Sequence, residues 1–134
     1  MVEGADGEPV VLPIGEMVYE RWDDSKRPRI VGYAAKWDEN TLEYHDTTRM
    51  FGWHRQEPAL NAQLHEIAKA CWRLCGLNGY ARVDLRVDGS GKPFILEVNP
   101  NPCLEPKAGL ACSYYQTGAS YEQLIEDILR AARR

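Results

Sequence analysis

The sequence predicts an α+β fold in which a largely antiparallel sheet is flanked by two helices, at about residues 58–76 and 120–133. Residues 80–102 alternate apolar and polar side chains on both sides of a glycine-containing turn, a pattern typical of a β-hairpin. Both helical segments carry apolar side chains at helical spacing. The length of 134 residues suits a single domain, residues 1–134.

The N-terminal part predicts two strands and two loops. Residues 9–19 are apolar and β-prone, although Pro13 restricts them to an edge or bulged strand. Residues 20–29 are charged and turn-rich, and we expect a loop. Residues 30–37 predict a second strand with Ile30 and Lys36 on one face. Residues 38–57 show no clear period but contain aromatic side chains, so we expect a long loop of the kind that often forms a lid.

The two predicted helices have recognisable ends. Pro58 suits a first helical turn, and Gly76 suits a helix C-terminus. Ser120 and Gln123 have the spacing of a capping box. The proline-rich and small-residue stretch at 100–119 predicts no regular element.

Composition narrows the classes of protein. With 44% hydrophobic and 27% charged residues the chain has an ordinary globular composition. A net charge of −4 gives no support to a nucleic-acid partner, and no apolar run is long enough to predict a membrane span. Because there is no secretory signal pattern, we expect a cytoplasmic location. Of the four cysteines, Cys71 and Cys75 give only a weak zinc pattern, and buried reduced thiols are favoured.

The polar face of the predicted hairpin carries Arg82, Asp84, Glu97 and Asn99, whereas Phe94, Leu96 and Val98 are expected on the apolar face. If Val87 pairs with Phe94, then Asp84 faces Glu97 and Arg82 faces Asn99. Like charges in such a pair destabilise a ladder, and a hard divalent cation would offset them. The pattern alone leaves three interpretations open: a solvated polar face, a metal site, or a simple Asp–Arg pair.

Four segments resemble the C-terminal part of the ATP-grasp ligases, most closely the D-alanine–D-alanine ligases and their relatives. They are ARVD at 81–84, EVN at 97–99, YAAKW at 33–37 and SYEQLIEDIL at 120–129. The resemblance covers residues from about 10 to 132. It implies an ATP-grasp C-terminal subdomain, with the N-terminal and central domains of the family absent from this chain.

The resemblance also implies roles for individual residues on the hairpin. Asp84, Glu97 and Asn99 would be ligands of Mg²⁺ or Mn²⁺, and Arg82 would stabilise the tetrahedral intermediate. Cys103 stands where the family has a glycine that donates a backbone N–H to the oxyanion.

For the nucleotide ATP, the resemblance implies that Lys36 contacts the phosphates and that Ile30 and Leu96 lie against the adenine. The chain would be the magnesium- and nucleotide-binding half of an ATP-dependent carboxylate–amine ligase that works through an acyl phosphate. ATP and amino acids would be its small-molecule partners, and peptidoglycan biosynthesis its setting.

On this interpretation the isolated chain is expected to be inactive, and either a homodimer or docking to an N-terminal half is expected. The alternative is a catalytically silent ATP-grasp remnant that serves as a binding or assembly module. A third interpretation is an unrelated α+β domain with a polar sheet face.

Overall fold

The computed structural model describes residues 1–21, 23 and 28–133. In chain order its elements are β1 (Val2–Glu3), β2 (Pro9–Val10), β3 (Glu16–Tyr19), α1 (Tyr33–Trp37), α2 (Leu42–His45), β4 (Thr47–Met50), a 3-10 helix (Trp53–Arg55), α3 (Pro58–Leu74), β5 (Arg82–Val87), β6 (Pro93–Asn99), α4 (Gly109–Tyr115) and α5 (Tyr121–Ala131). The predicted α+β class is confirmed. Among the described residues, no helix has both the length and the apolar character needed to cross a bilayer.

Within the described part of the chain, the strands form three two-stranded antiparallel sheets, β1–β2, β3–β4 and β5–β6, where the sequence suggested one larger sheet. The first and third sheets meet at an isolated antiparallel bridge between Val2 and Tyr80. Next to it the Ala81 N–H donates to the Met1 carbonyl over 3.1 Å. Met1 and Val2 therefore pair with Tyr80 and Ala81, the residues that directly precede β5.

The chain divides into two compact units. The first comprises Met1–Ile14 and His54–Arg134, and the second comprises Gly15–Trp53. The assignment of residues 1–134 to one domain remains a prediction.

In the second unit the sequence prediction is largely wrong. Tyr33–Trp37 is helix α1 and not a strand, so Ile30 and Lys36 do not share a strand face. Consecutive alanines inside this segment favour helix, which the apolar pattern did not reveal. The predicted loop at 38–57 contains α2 and β4, and β4 pairs with β3 from Glu16↔Met50 to Tyr19↔Thr47. Half of the loop predicted at 20–29, residues 22 and 24–27, lies outside the described residues.

One hydrophobic cluster in the first unit packs α4 and α5 against the N-terminal segment. Its buried members are Val2, Leu12, Leu110, Ala111, Tyr114 and Leu124. The predicted start of α5 is confirmed, because Ser120 and Gln123 form a complete capping box. Helix α4 was not predicted, since it is only seven residues long and depends on burial of its apolar side against this cluster.

A second cluster in the same unit lies beneath α3. It contains Met1, Ala68, Trp72 and Ala81. Helix α3 begins at Pro58 as predicted, and Gly76 follows its end with a φ of +59°. The Met1 amino group is buried here and donates to the Ala81 carbonyl over 2.9 Å, and burial lowers its pKa to about 5.

Candidate functional site

The β5–β6 hairpin carries the polar residues singled out in the sequence. In its register Asp84 lies opposite Glu97, and Arg82 lies opposite Asn99. Both of these pairings are as predicted. The predicted pairing of Val87 with Phe94 is wrong, because Val87 lies opposite Pro93.

A β-bulge explains why the register differs between the two ends of the hairpin. The register shifts between Asp84 and Leu85, so Leu96 is the extra residue in β6. Because directly opposed residues lie on the same face of a ladder, Ile95 shares the face of Leu85 and Phe94 shares the face of Arg86. The predicted assignment of Phe94 to the apolar face is therefore wrong.

The facing carboxylates are held by one guanidinium. Arg82 donates from Nε to Asp84 Oδ1 over 2.7 Å and from Nη2 to Asp84 Oδ2 over 3.0 Å. The same Nη2 lies 3.7 Å from Glu97 Oε2. The three side chains are between 36% and 53% exposed, so solvent weakens these ion pairs to about 1 kcal/mol or less each. Arg82 thus offsets the repulsion between Asp84 and Glu97.

Asn99 is oriented by the chain that follows it. Its Oδ1 accepts the Asn101 backbone N–H over 2.9 Å, and Asn101 Oδ1 accepts the Tyr80 hydroxyl over 2.7 Å. Sequence reasoning missed Asn101 and Tyr80. The sequence did contain a signal for the first of these contacts: Asn99 precedes Asn101 by two residues, which is the spacing of an Asx turn.

The turn of the hairpin is fixed by one carboxylate. Asp88 Oδ1 accepts from the Ser90 hydroxyl over 2.7 Å, the Ser90 N–H over 2.9 Å and the Lys92 N–H over 3.0 Å. These hydrogen bonds, that of the Ser90 hydroxyl foremost, hold the pKa of the Asp88 carboxyl below its usual value. Gly91 supplies the positive φ of +83° that the turn requires.

The donor set on the hairpin fits a hard divalent cation. Two carboxylates and an amide oxygen are the ligand types that Mg²⁺ and Mn²⁺ prefer. No group of three His, Cys, Asp or Glu residues suited to a metal occurs among the residues that the structure describes, so Asn99 is needed beside Asp84 and Glu97.

All four cysteines are free thiols, but only Cys71 is buried, and the expectation of buried thiols is wrong for Cys75 and Cys103.

The remaining residues implied by the resemblance lie in different places. Leu96 is 65% exposed at the bulge, and Cys103 is exposed in the irregular stretch after β6. Lys36, in α1, is exposed, and Ile30 precedes that helix and is 61% exposed. Both belong to the second unit. The hairpin therefore brings together Arg82, Asp84, Glu97 and Asn99, with Leu96 on the neighbouring strand position.

Comparisons with known proteins place relatives of this chain among the D-alanine–D-alanine ligases. A D-alanine–D-alanine ligase of Cupriavidus necator is 29% identical over 104 residues, which is 78% of this chain and 32% of that protein. An uncharacterized protein of Sinorhizobium fredii, y4sG, is 42% identical over 78 residues, or 58% of this chain and 23% of that protein. The crystal structure of D-alanine–D-alanine ligase from Bacillus anthracis matches with a TM-score of 0.64 and 26% identity, over 92% of this chain and 36% of that one.

The chain thus spans between 23% and 36% of the length of these relatives. The fold is that of an ATP-grasp C-terminal subdomain, as the match to the Bacillus anthracis structure indicates. The family model described as "D-ala D-ala ligase C-terminus" matches residues 2–130. The chain belongs to the D-alanine–D-alanine ligase C-terminal family.

Proposed function

We propose that this chain supplies the metal- and nucleotide-binding portion of an ATP-dependent carboxylate–amine ligase of the D-alanine–D-alanine ligase type. The observation that carries the proposal is the hairpin register, in which Asp84 lies opposite Glu97 with Arg82 and Asn99 as the adjacent pair. Family membership supports the reaction class, an acyl phosphate formed with ATP and then attacked by an amine.

Asp84, Glu97 and Asn99 would hold Mg²⁺ or Mn²⁺. The bound ions would neutralise phosphate charge during phosphoryl transfer. The carboxylates are suited to this because they remain partly exposed: the side chains of Asp84 and Glu97 are 36% and 53% accessible. Asn99 keeps a second lone pair on Oδ1 after accepting the Asn101 N–H.

Arg82 would stabilise negative charge on the oxygen of the tetrahedral intermediate, a role for which a fixed donor fork is well suited. The backbone N–H of Cys103 would donate to the same oxygen. In the second unit, Lys36 would bind the nucleotide phosphates. Ile30 and Leu96 would contact the adenine through their exposed apolar side chains.

ATP and amino acids would be the substrates. The reaction would take place in the cytoplasm as part of peptidoglycan biosynthesis. We propose that the 134-residue chain by itself turns over no substrate, because it spans only between 23% and 36% of the length of its relatives. A second candidate is a binding module without catalysis. The exposed Phe94, Ile95 and Leu96 of β6, at 45%, 54% and 65%, favour it because they offer apolar surface for another protein segment.

The test is thermal unfolding of the protein expressed from its complete reading frame, with and without Mg²⁺ and ATP. At ten times the dissociation constant, binding should stabilise the native state by about 1.4 kcal/mol, and Glu97→Gln should remove that gain. Glu66→Gln is the matched control, since Glu66 is an exposed carboxylate on α3. An equal Mg²⁺–ATP shift in Glu97→Gln and the parent protein would refute the metal assignment.

A further inference from the structure

Asp84 and Glu97, the two carboxylates proposed to bind metal, already interact with the positively charged guanidinium of Arg82. Both oxygens of Asp84 accept from the Arg82 fork, at 2.7 and 3.0 Å, and the same guanidinium lies 3.7 Å from Glu97. A two-point fork of this kind occupies the lone pairs that point toward the guanidinium plane. Each Asp84 oxygen keeps a second lone pair, but a divalent ion bound there would lie close to the positive charge of Arg82, so the two cations compete electrostatically for Asp84.

We propose that Arg82 is an exchangeable counter-cation of the hairpin: a divalent cation binding at Asp84 and Glu97 displaces the Arg82 guanidinium from Asp84. This inference rests on the proposed function, since it presumes that the two carboxylates bind metal. The exchange keeps the facing carboxylates neutralised in both states, first by the side chain and then by the ion.

The cost of the exchange is modest, which makes it feasible. The Arg82 and Asp84 side chains are 37% and 36% exposed, so water can solvate the guanidinium once it is released. Exposed ion pairs contribute little to stability, whereas two positive charges within a few ångströms of each other repel. Retaining Arg82 on Asp84 beside a divalent ion would be the less favourable state.

The exchange has a consequence for substrate binding. A guanidinium released from Asp84 is available to an anionic group such as a carboxylate or phosphate. Cation binding and anion binding at the hairpin would then strengthen each other, and linkage requires that effect to be reciprocal. The metal would prepare Arg82 for its partner as well as bind its own ligands.

The chain contains a matched control for simple charge removal. Arg86 lies two residues beyond Asp84, as Arg82 lies two residues before it, and strand alternation places all three on one face. Arg86 lies opposite Phe94, on the far side of the bulge from Glu97. Arg86→Gln therefore removes the same charge at the same sequence distance without removing the fork.

The direct experiment is a Mg²⁺ titration of the 134-residue chain followed by NMR. Without Mg²⁺, the Arg82 Nε–H should be protected by its bond to Asp84 Oδ1. At saturating Mg²⁺, its exchange with water should accelerate by about tenfold or more, while the carboxyl signals of Asp84 and Glu97 shift. An unchanged Arg82 Nε–H at saturation, with both carboxyl signals shifted, would overturn the exchange and leave the metal site standing.

The second measurement is Mn²⁺ affinity by electron paramagnetic resonance. Arg82→Gln should bind Mn²⁺ about fivefold more tightly than the parent chain, as expected when a partly exposed ion pair no longer competes. Arg86→Gln should stay within about twofold of the parent. Equal tightening in both variants would overturn the exchange, and absence of metal-dependent shifts at Asp84, Glu97 and Asn99 would refute the proposed metal site itself.

Discussion

Leu124 offers the most direct test of how the first unit is held together. Its side chain is completely buried in α5, within the cluster formed with α4 and the N-terminal segment. Leu124→Ala removes three carbon atoms, worth about 2.4 kcal/mol in transfer free energy at 0.8 kcal/mol per methylene. The cavity left behind adds to this, so we expect the free energy of unfolding to fall by about 3 kcal/mol.

Leu129 is the matched control, because it lies on the same helix but is 54% exposed. Leu129→Ala should lower the free energy of unfolding by only about 1 kcal/mol, since about half of its apolar area already contacts water. Urea unfolding followed by far-ultraviolet circular dichroism measures both variants. A loss below about 1 kcal/mol for Leu124→Ala, or equal losses for both leucines, would refute this account of the core.

Two further predictions concern helix capping and pH. Ser120→Ala removes the hydrogen bond between the Ser120 hydroxyl and the Gln123 backbone N–H in the α5 capping box, and it should lower the free energy of unfolding by about 1 kcal/mol. An unchanged urea midpoint would contradict this. With a free amino group at Met1, burial lowers its folded-state pKa from 8.0 to about 5. As the pH falls, the unfolded state takes up the proton at a higher pH than the folded state does, so the free energy of unfolding should fall by about 3 kcal/mol from pH 8 to pH 5. The N-acetylated chain should lack this slope, and parallel pH profiles would contradict the prediction.

Elements defined by local signals could be predicted from the sequence. Helix α3 has a proline at its start, a glycine after its end and a long apolar stripe, and the structure has it at Pro58–Leu74. Helix α5 has its capping box at Ser120. In each case the determining contacts are within four residues along the chain, so the sequence contains the necessary information.

Elements that depend on tertiary contacts could not be predicted. Helix α4 buries Leu110, Ala111 and Tyr114 against α5 and β1, and nothing within its seven residues indicates that burial. Strand β4 exists through pairing with β3, some 30 residues earlier along the chain. The pairing supplies hydrogen bonds that the irregular pattern of residues 38–57 does not indicate.

The candidate site depends on the feature that the sequence did not reveal, the bulge at Leu96. The turn sets Val87 opposite Pro93, and a regular ladder continued from there would place Leu96 opposite Asp84 and Glu97 opposite Val83. Glu97 would then lie on the apolar face of the hairpin, away from Arg82. Insertion of one unpaired residue restores the pairing of Asp84 with Glu97 and returns the second carboxylate to the polar face. The bulge is therefore what makes a two-carboxylate site possible on this hairpin.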